Sequence, residues 1–130
     1  MAIKVFRQVK PEFTDERGEI LKILDDGKTT IKSVLLITSK KGAVRANHFH
    51  KADSHYVYLL SGSMEYTEQP VNGNENQRET IIVNAGDMVY TPPMVSHAMK
   101  FLEDSTFLAL SPHSRHQAAY ESDLVRVKLI

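Results

Sequence analysis

The chain has 130 residues, 42% of them apolar, with 16 basic and 16 acidic side chains and a formal net charge of zero. That length fits one domain with a single core, the apolar fraction excludes a disordered chain, and the charge balance argues against a nucleic-acid binder, which would carry a basic patch. There is no cysteine, so disulfides and thiolate metal sites are excluded; with no signal-peptide pattern and no run approaching ~18 apolar residues, the expectation is a cytoplasmic protein without a membrane span.

In chain order, residues 2–9 read as a short strand bounded by Pro11, since proline cannot donate to a ladder. Asp15, Glu16, Arg17 and Gly18 form a turn and residues 19–24 a strand, closed by a second turn at Asp25, Asp26 and Gly27. Residues 31–38, IKSVLLIT, are apolar and β-branched and predict a buried strand. A loop at 39–42 leads into two histidine-bearing strands. In the second, His55, Val57 and Leu59 share one face and Tyr56, Tyr58 and Leu60 the other; both faces being apolar predicts a strand covered on both sides.

After Gly62, residues 63–69 predict a strand, and 70–77, PVNGNENQ, a polar loop with an Asn-Gly turn. Four short strands follow at 78–83, 87–91, 97–102 and 106–110. Residues 111–121 read as irregular or a short helical turn, and 124–130, LVRVKLI, as a terminal strand. Many short strands at close spacing with little helix signal predict an all-β sandwich or barrel.

The chemistry concentrates between Gly42 and Gly62, in GAVRANHFHKADSHYVYLLSG, and around His97 in GDMVYTPPMVSHAMKF. On an extended strand His48 and His50 share a face, with Phe49 turned away. A third imidazole a few residues on and a fourth from a distant strand would let His48, His50, His55 and His97 converge on one metal ion. Imidazole suits zinc, copper, iron and nickel. A lone histidine is more often a surface or satisfied core residue, so the reading rests on the group of four. Arg45 and Lys51 flank the pair. A lone flanking cation is usually a solvated charge, although cations at a barrel mouth also hold phosphate or carboxylate oxygens. His113 and His116 stand among polar residues and read as exposed loop. Tyr56, Tyr58, Tyr66 and Tyr90 read as packing residues, and Met88, Met94 and Met99 as flexible lining or backing of the pocket.

This spacing resembles the two signature motifs of the cupins. Gly42, His48, His50, His55 and Gly62 fall in the first, with His55 where a glutamate is usual. Gly86, Pro92 and His97 fall in the second, with Met94 at a glycine and Phe101 at an asparagine. The resemblance implies a double-stranded β-helix, the cupin jelly-roll barrel, spanning residues 1–130 as a single domain. It also implies a divalent metal (zinc, iron, nickel or manganese) held by His48, His50, His55 and His97.

A narrower resemblance lies in FTDERGEILKIL, VRANHFHK, LLSGS and YESDLVRVKLI. These segments are similar to those of cupins acting on nucleotide-linked 4-keto sugars: 3,4-ketoisomerases and the zinc-carrying domain of capsular-sugar reductases. Here Ala46 stands in place of the usual glycine. The likeness implies an isomerase or epimerase of surface-polysaccharide synthesis, with His48 or His50 removing a proton beside the ketone and Arg45 and Lys51 near the substrate. A metal-dependent oxygenase and a non-catalytic small-molecule-binding cupin are the alternatives. Such barrels often pair through edge strands, so a homodimer is expected, through residues 2–9 or 124–130.

Overall fold

The computed structural model describes residues 3–130. Twelve strands, one single-turn 3-10 helix (Glu75–Gln77) and one short helix, α1 (Gln117–Asp123), follow one another in the chain. One sheet has the order β1-β9-β6-β11-β4 and contains β1 (Lys4–Phe6), β4 (Ser33–Ser39), β6 (His55–Ser61), β9 (Met88–Thr91) and β11 (Ser105–Ser111). The second has the order β12-β5-β10-β7-β8, from β5 (Val44–His50), β7 (Ser63–Pro70), β8 (Glu79–Asn84), β10 (Val95–Phe101) and β12 (Leu124–Arg126). All pairings are antiparallel. The architecture is the expected jelly roll.

Strands β2 (Pro11–Asp15) and β3 (Gly18–Leu21) form a separate hairpin around the expected turn. The sequence reading gave no strand at 11–15 because of Pro11. The proline opens a strand in a two-stranded ribbon, a position where its missing N–H is tolerated. The strand expected over 2–9 spans Lys4–Phe6, and Ala2 lies outside the described residues. The terminal strand expected over 124–130 ends at Arg126. Beyond it the chain is held differently: Asn47 Oδ1 accepts from the backbone N–H groups of Leu129 and Ile130, each at 3.1 Å. The irregular stretch expected over 111–121 becomes helical only from Gln117.

β4 corrects another expectation. Its side chains alternate between the core and the outer face of the two-sheet sandwich, so Val34 and Leu36 are 61% and 66% exposed while Ile37 packs against the core. A run of apolar residues reads as buried on both faces whether or not its outer face is covered. β4 lies at a sheet edge, whereas β6 and β10 are interior strands, each paired on both sides.

The core between the sheets is built from Val57, Leu59, Met64, Tyr66, Val83, Val89, Phe101 and Phe107. The Phe101 and Phe107 rings stack with centroids 5.8 Å apart. Gly62 lets the chain pass from one sheet to the other: its φ is +92°, and a Cβ there would lie 2.7 Å from the Asp104 carbonyl oxygen. Only glycine combines that backbone with so close an approach. Among the described residues no helix is long and apolar enough to cross a membrane.

Candidate metal centre

Three of the four candidate histidines come from neighbouring strands of one sheet and the fourth from the other sheet. β5 carries His48 and His50, β10 carries His97 opposite His48 in the register, and β6 carries His55. The approach to His48 is unusual. Ala46 and Asn47 both have left-handed backbones, φ +69° and +55°. There the β5–β10 register slips: His97 pairs with His48 and Ala98 with Ala46, so Asn47 is the extra, bulged residue of β5. A bulge twists its strand and re-aims the side chains beyond it. Left-handed residues other than glycine are costly and persist where surrounding contacts hold them. Asn47 supplies such contacts by binding the C-terminal segment through its side chain.

The four rings form one cluster. The His48 ring lies 4.8 Å from His50 and 4.7 Å from His97, and the His55 ring 5.0 Å from His97 and 5.6 Å from His50, centroid to centroid. Donor atoms of His48, His50 and His97 all lie within 4.8 Å of one another; His55 stands outside that set. Ligands on one tetrahedral zinc are about 3.4 Å apart, so small ring rotations would close the three on an ion.

The hydrogen bonds of the rings fit that role. His97 Nδ1–H donates to the Val95 carbonyl at 3.2 Å, which leaves Nε2 a bare acceptor, and that atom is buried without a partner among the described residues. A buried polar atom without a partner is rare and costly, and a ligating nitrogen is one that needs no hydrogen-bond donor. His50 Nδ1 lies 3.1 Å from Asp123 Oδ2. A second nitrogen bonded to a carbonyl or carboxylate is the usual arrangement for a metal-ligating histidine. Burial lowers His48 to about 3 and His97 to about 4, with neighbouring imidazoles adding to the effect, and holds His55 well below its ordinary value. These three rings are therefore neutral at pH 7, the form that binds metal.

A cavity of about 170 Å³ opens beside the cluster, lined by His48, His55 and His97. Its walls are mixed: Leu35 and Ile37 from β4, Val57 from β6 and Phe107 from β11 are apolar, and Ser33, Asp53, Ser111 and Arg45 line it too. Arg45 is steadied by donating from Nε to Ser39 Oγ at 2.7 Å and from Nη2 to the Thr38 carbonyl at 2.8 Å. Lys51 is exposed and does not line the cavity. His113 and His116 are exposed, as their polar surroundings predict. Met99 lines the cavity and Met88 is buried, whereas Met94 is 41% exposed.

Among the lining residues not singled out in the sequence are Asp53, Arg115 and Tyr120. The Arg115 guanidinium lies over the Tyr120 ring, 4.2 Å from its centroid, and Tyr120 in turn lies 5.8 Å from the His50 ring. Arg115 and Tyr120 sit in the stretch 111–121 that reads as irregular or a short helical turn, and no periodicity in it marks a return to the site.

Residues 35–113 match the cupin domain family, and the chain belongs to that family. No curated protein sequence matches it significantly. Among solved structures it is similar to a variant 3,4-ketoisomerase from Thermoanaerobacterium thermosaccharolyticum in complex with TDP, at 25% identity and a TM-score of 0.74, covering 95% of this chain and 86% of that one. It is also similar to a 3,4-ketoisomerase from Helicobacter canadensis (20% identity, TM-score 0.76, 97% and 91% covered). A third is a dTDP-4-dehydrorhamnose 3,5-epimerase from Sulfolobus tokodaii (20% identity, TM-score 0.68, 82% and 69% covered).

Proposed function

We propose that this cupin binds a divalent metal and isomerises or epimerises a nucleotide-linked keto sugar, in surface-polysaccharide synthesis in the cytoplasm. The observation that carries the metal is the unpaired, buried Nε2 of His97 facing a set of imidazole donors. His48, His50 and His97 would hold the ion, with His55 at its margin. An all-imidazole set suits zinc, iron or nickel better than manganese, which prefers oxygen donors.

The substrate class is supported by the solved relatives, one of them bound to TDP-4-keto-6-deoxyglucose, and by two arginines in the lining, Arg45 and Arg115, against one carboxylate, Asp53. A cavity of about 170 Å³ is smaller than the roughly 300–1,000 Å³ of sites that enclose whole drug-sized ligands. It would take the reacting end of the substrate and leave the nucleotide outside. Arg45 and Arg115 stand where phosphate oxygens of such a ligand can be held.

Protons beside a ketone become removable when the resulting oxyanion is stabilised. A bound divalent ion supplies Lewis-acid polarisation of a carbonyl oxygen. A histidine that ligates through one nitrogen is a poor base, which argues against His48 and His50 as proton acceptors while they hold an ion. His55 lines the cavity outside the three-donor set and is neutral, so we assign it the proton. The burial that keeps it neutral also weakens it as a base, so transfer depends on prior polarisation of the ketone.

The same triad suits redox-active iron, and a metal-dependent oxygenase is the second reading. A homodimer is proposed from the exposed Val34 and Leu36 of edge strand β4, and light scattering tests it, a monomer at micromolar concentration being the contrary result.

The function is tested by incubating the protein with TDP-4-keto-6-deoxyglucose in D2O and following deuterium uptake beside the ketone by NMR. Elemental analysis of the wild type and His48→Ala runs in parallel. Exchange that His55→Gln abolishes is expected. No exchange would refute the isomerase reading, and equal metal content in wild type and His48→Ala would refute the site.

A further inference from the structure

Asp123 ends α1, just before β12, and its neighbour Leu124 pairs with His50 in the β12–β5 register. The backbone N–H of Lys51 donates to the Asp123 carbonyl at 3.0 Å. The side chain is fully engaged. Oδ1 accepts from the Ala52 N–H at 2.7 Å, and Oδ2 accepts from the Asp53 N–H at 3.2 Å and faces His50 Nδ1 at 3.1 Å. Asp53, the other carboxylate nearby, accepts from Ser111 Oγ at 2.6 Å and from the Ser54 N–H at 2.8 Å.

His50, Asp53 and Asp123 also fall within reach of one another. Yet the Asp123 oxygens are committed to backbone donors and to His50, so a second cation there would have to displace them. The geometry fits orientation of His50 instead. A carboxylate can only accept, so His50 Nδ1 carries a proton, and a ring with one proton there has its lone pair at Nε2. The same carboxylate fixes the turn between β5 and β6, the two strands that carry His48, His50 and His55.

We infer that Asp123 is a positioning residue that fixes His50 in the Nδ1–H tautomer and aims its Nε2 at the centre shared with His48 and His97. The inference rests on the reading that these three histidines hold the ion. It gives the C-terminal segment a function in the site: residues 115–123 bring Arg115 and Tyr120 to the cavity and a carboxylate to the back of a ligand. Removing such an outer partner typically weakens metal binding 10–100-fold.

The test combines tautomer and affinity. Two-bond 1H–15N correlations on metal-free protein labelled in histidine, at pH 8, give the protonated nitrogen of His50, assigned by His50→Gln. Zinc affinity is measured by competition with a chromophoric chelator. The expected result is a proton on Nδ1 in the wild type, loss of that preference in Asp123→Ala, and a zinc Kd about 10–100-fold higher. A proton on Nε2 in the wild type overturns the inference. So does an Asp123→Ala variant that keeps both tautomer and affinity. Should that variant not fold, the wild-type tautomer decides alone. A wild-type protein that binds no zinc, nickel or iron refutes the metal reading, and the tautomer still decides the role of Asp123.

Discussion

His48 and His97 stand opposite one another on β5 and β10, with their rings edge to face and centroids 4.7 Å apart. Two imidazoles so placed cannot both be protonated without like-charge repulsion, and neither is exposed. Burial is the larger cause of their low pKa values and proximity to other imidazoles the smaller. The pair is thus an acid-labile element of the fold, whatever it binds.

The first prediction follows from the sign of those shifts. His48 and His97 are lowered from 6.5 to about 3 and about 4, so as pH falls the unfolded chain takes up protons before the folded one. Above pH 6.5 the two rings leave stability unchanged. Between pH 6.5 and 4 metal-free protein loses up to about 1.4 kcal/mol per pH unit for each ring. Denaturant melts at pH 7, 6 and 5 should show this slope, and His97→Gln should make it shallower. A wild-type slope equal to that of the variant would remove His97 from the account.

Glu68 predicts the opposite dependence. It is buried on β7, and burial pushes it from 4.5 to about 7, although the Tyr66 hydroxyl donating at 2.5 Å works the other way. With its folded value raised, its favourable contribution is complete below pH 4.5 and is lost as pH rises through 7. Glu68→Gln keeps an oxygen for Tyr66 and removes the buried charge. Relative to wild type it should gain stability between pH 5 and pH 9, by about 2–3 kcal/mol. An unchanged difference across that range would mean Glu68 is not charged at pH 9 or is already solvated.

Asp87 supports a prediction away from the cluster. Its carboxylate accepts from the N–H groups of Gln8 and Asn84, from Gln8 Nε2 and from Arg7 Nη1, all at 2.8–3.0 Å. Burial pushes its pKa up, and these donors outweigh that and hold it below the ordinary value. They tie the segment after β1 to the β8–β9 turn. Asp87→Asn would turn an NH2 group toward a buried donor and leave it unsatisfied. A loss of about 2–3 kcal/mol is expected, measured by denaturant unfolding. A loss within about 0.5 kcal/mol, the usual effect of a surface change, would contradict the latch.

Strand placement was legible because each strand carries its own local signal: β-branched and aromatic runs between glycine, proline and polar turns. The histidine spacing was legible for the same reason, since His48 and His50 are two apart and a strand alternates faces. Three things were not. Whether β4 lies at an edge depends on sheet order, which IKSVLLIT does not encode. That His55 arrives from the opposite sheet, outside the donor set of the other three, depends on the chain crossing between sheets in the turn 51–54 that joins β5 to β6. Arg115, Tyr120 and Asp123 reach the site through long-range packing of a short helix, and such contacts leave no periodicity to read.

Ala46 stands where the ketoisomerase-like segment has a glycine and Met94 where the second cupin motif has one, and both have a left-handed backbone, φ +69° and +61°. A left-handed L-residue costs about 1–2 kcal/mol, and glycine gives back about 0.5–1 kcal/mol through its greater unfolded entropy. Met94 is 41% exposed, so its removal also forfeits part of a buried side chain. Met94→Gly should therefore stabilise the protein by no more than about 0.5–1 kcal/mol, seen as a higher denaturation midpoint at unchanged slope. Ala46→Gly should gain less, because the Ala46 methyl packs against the core. A Met94→Gly variant less stable than wild type would mean that the packing of the methionine within the chain is worth more than its strained backbone costs.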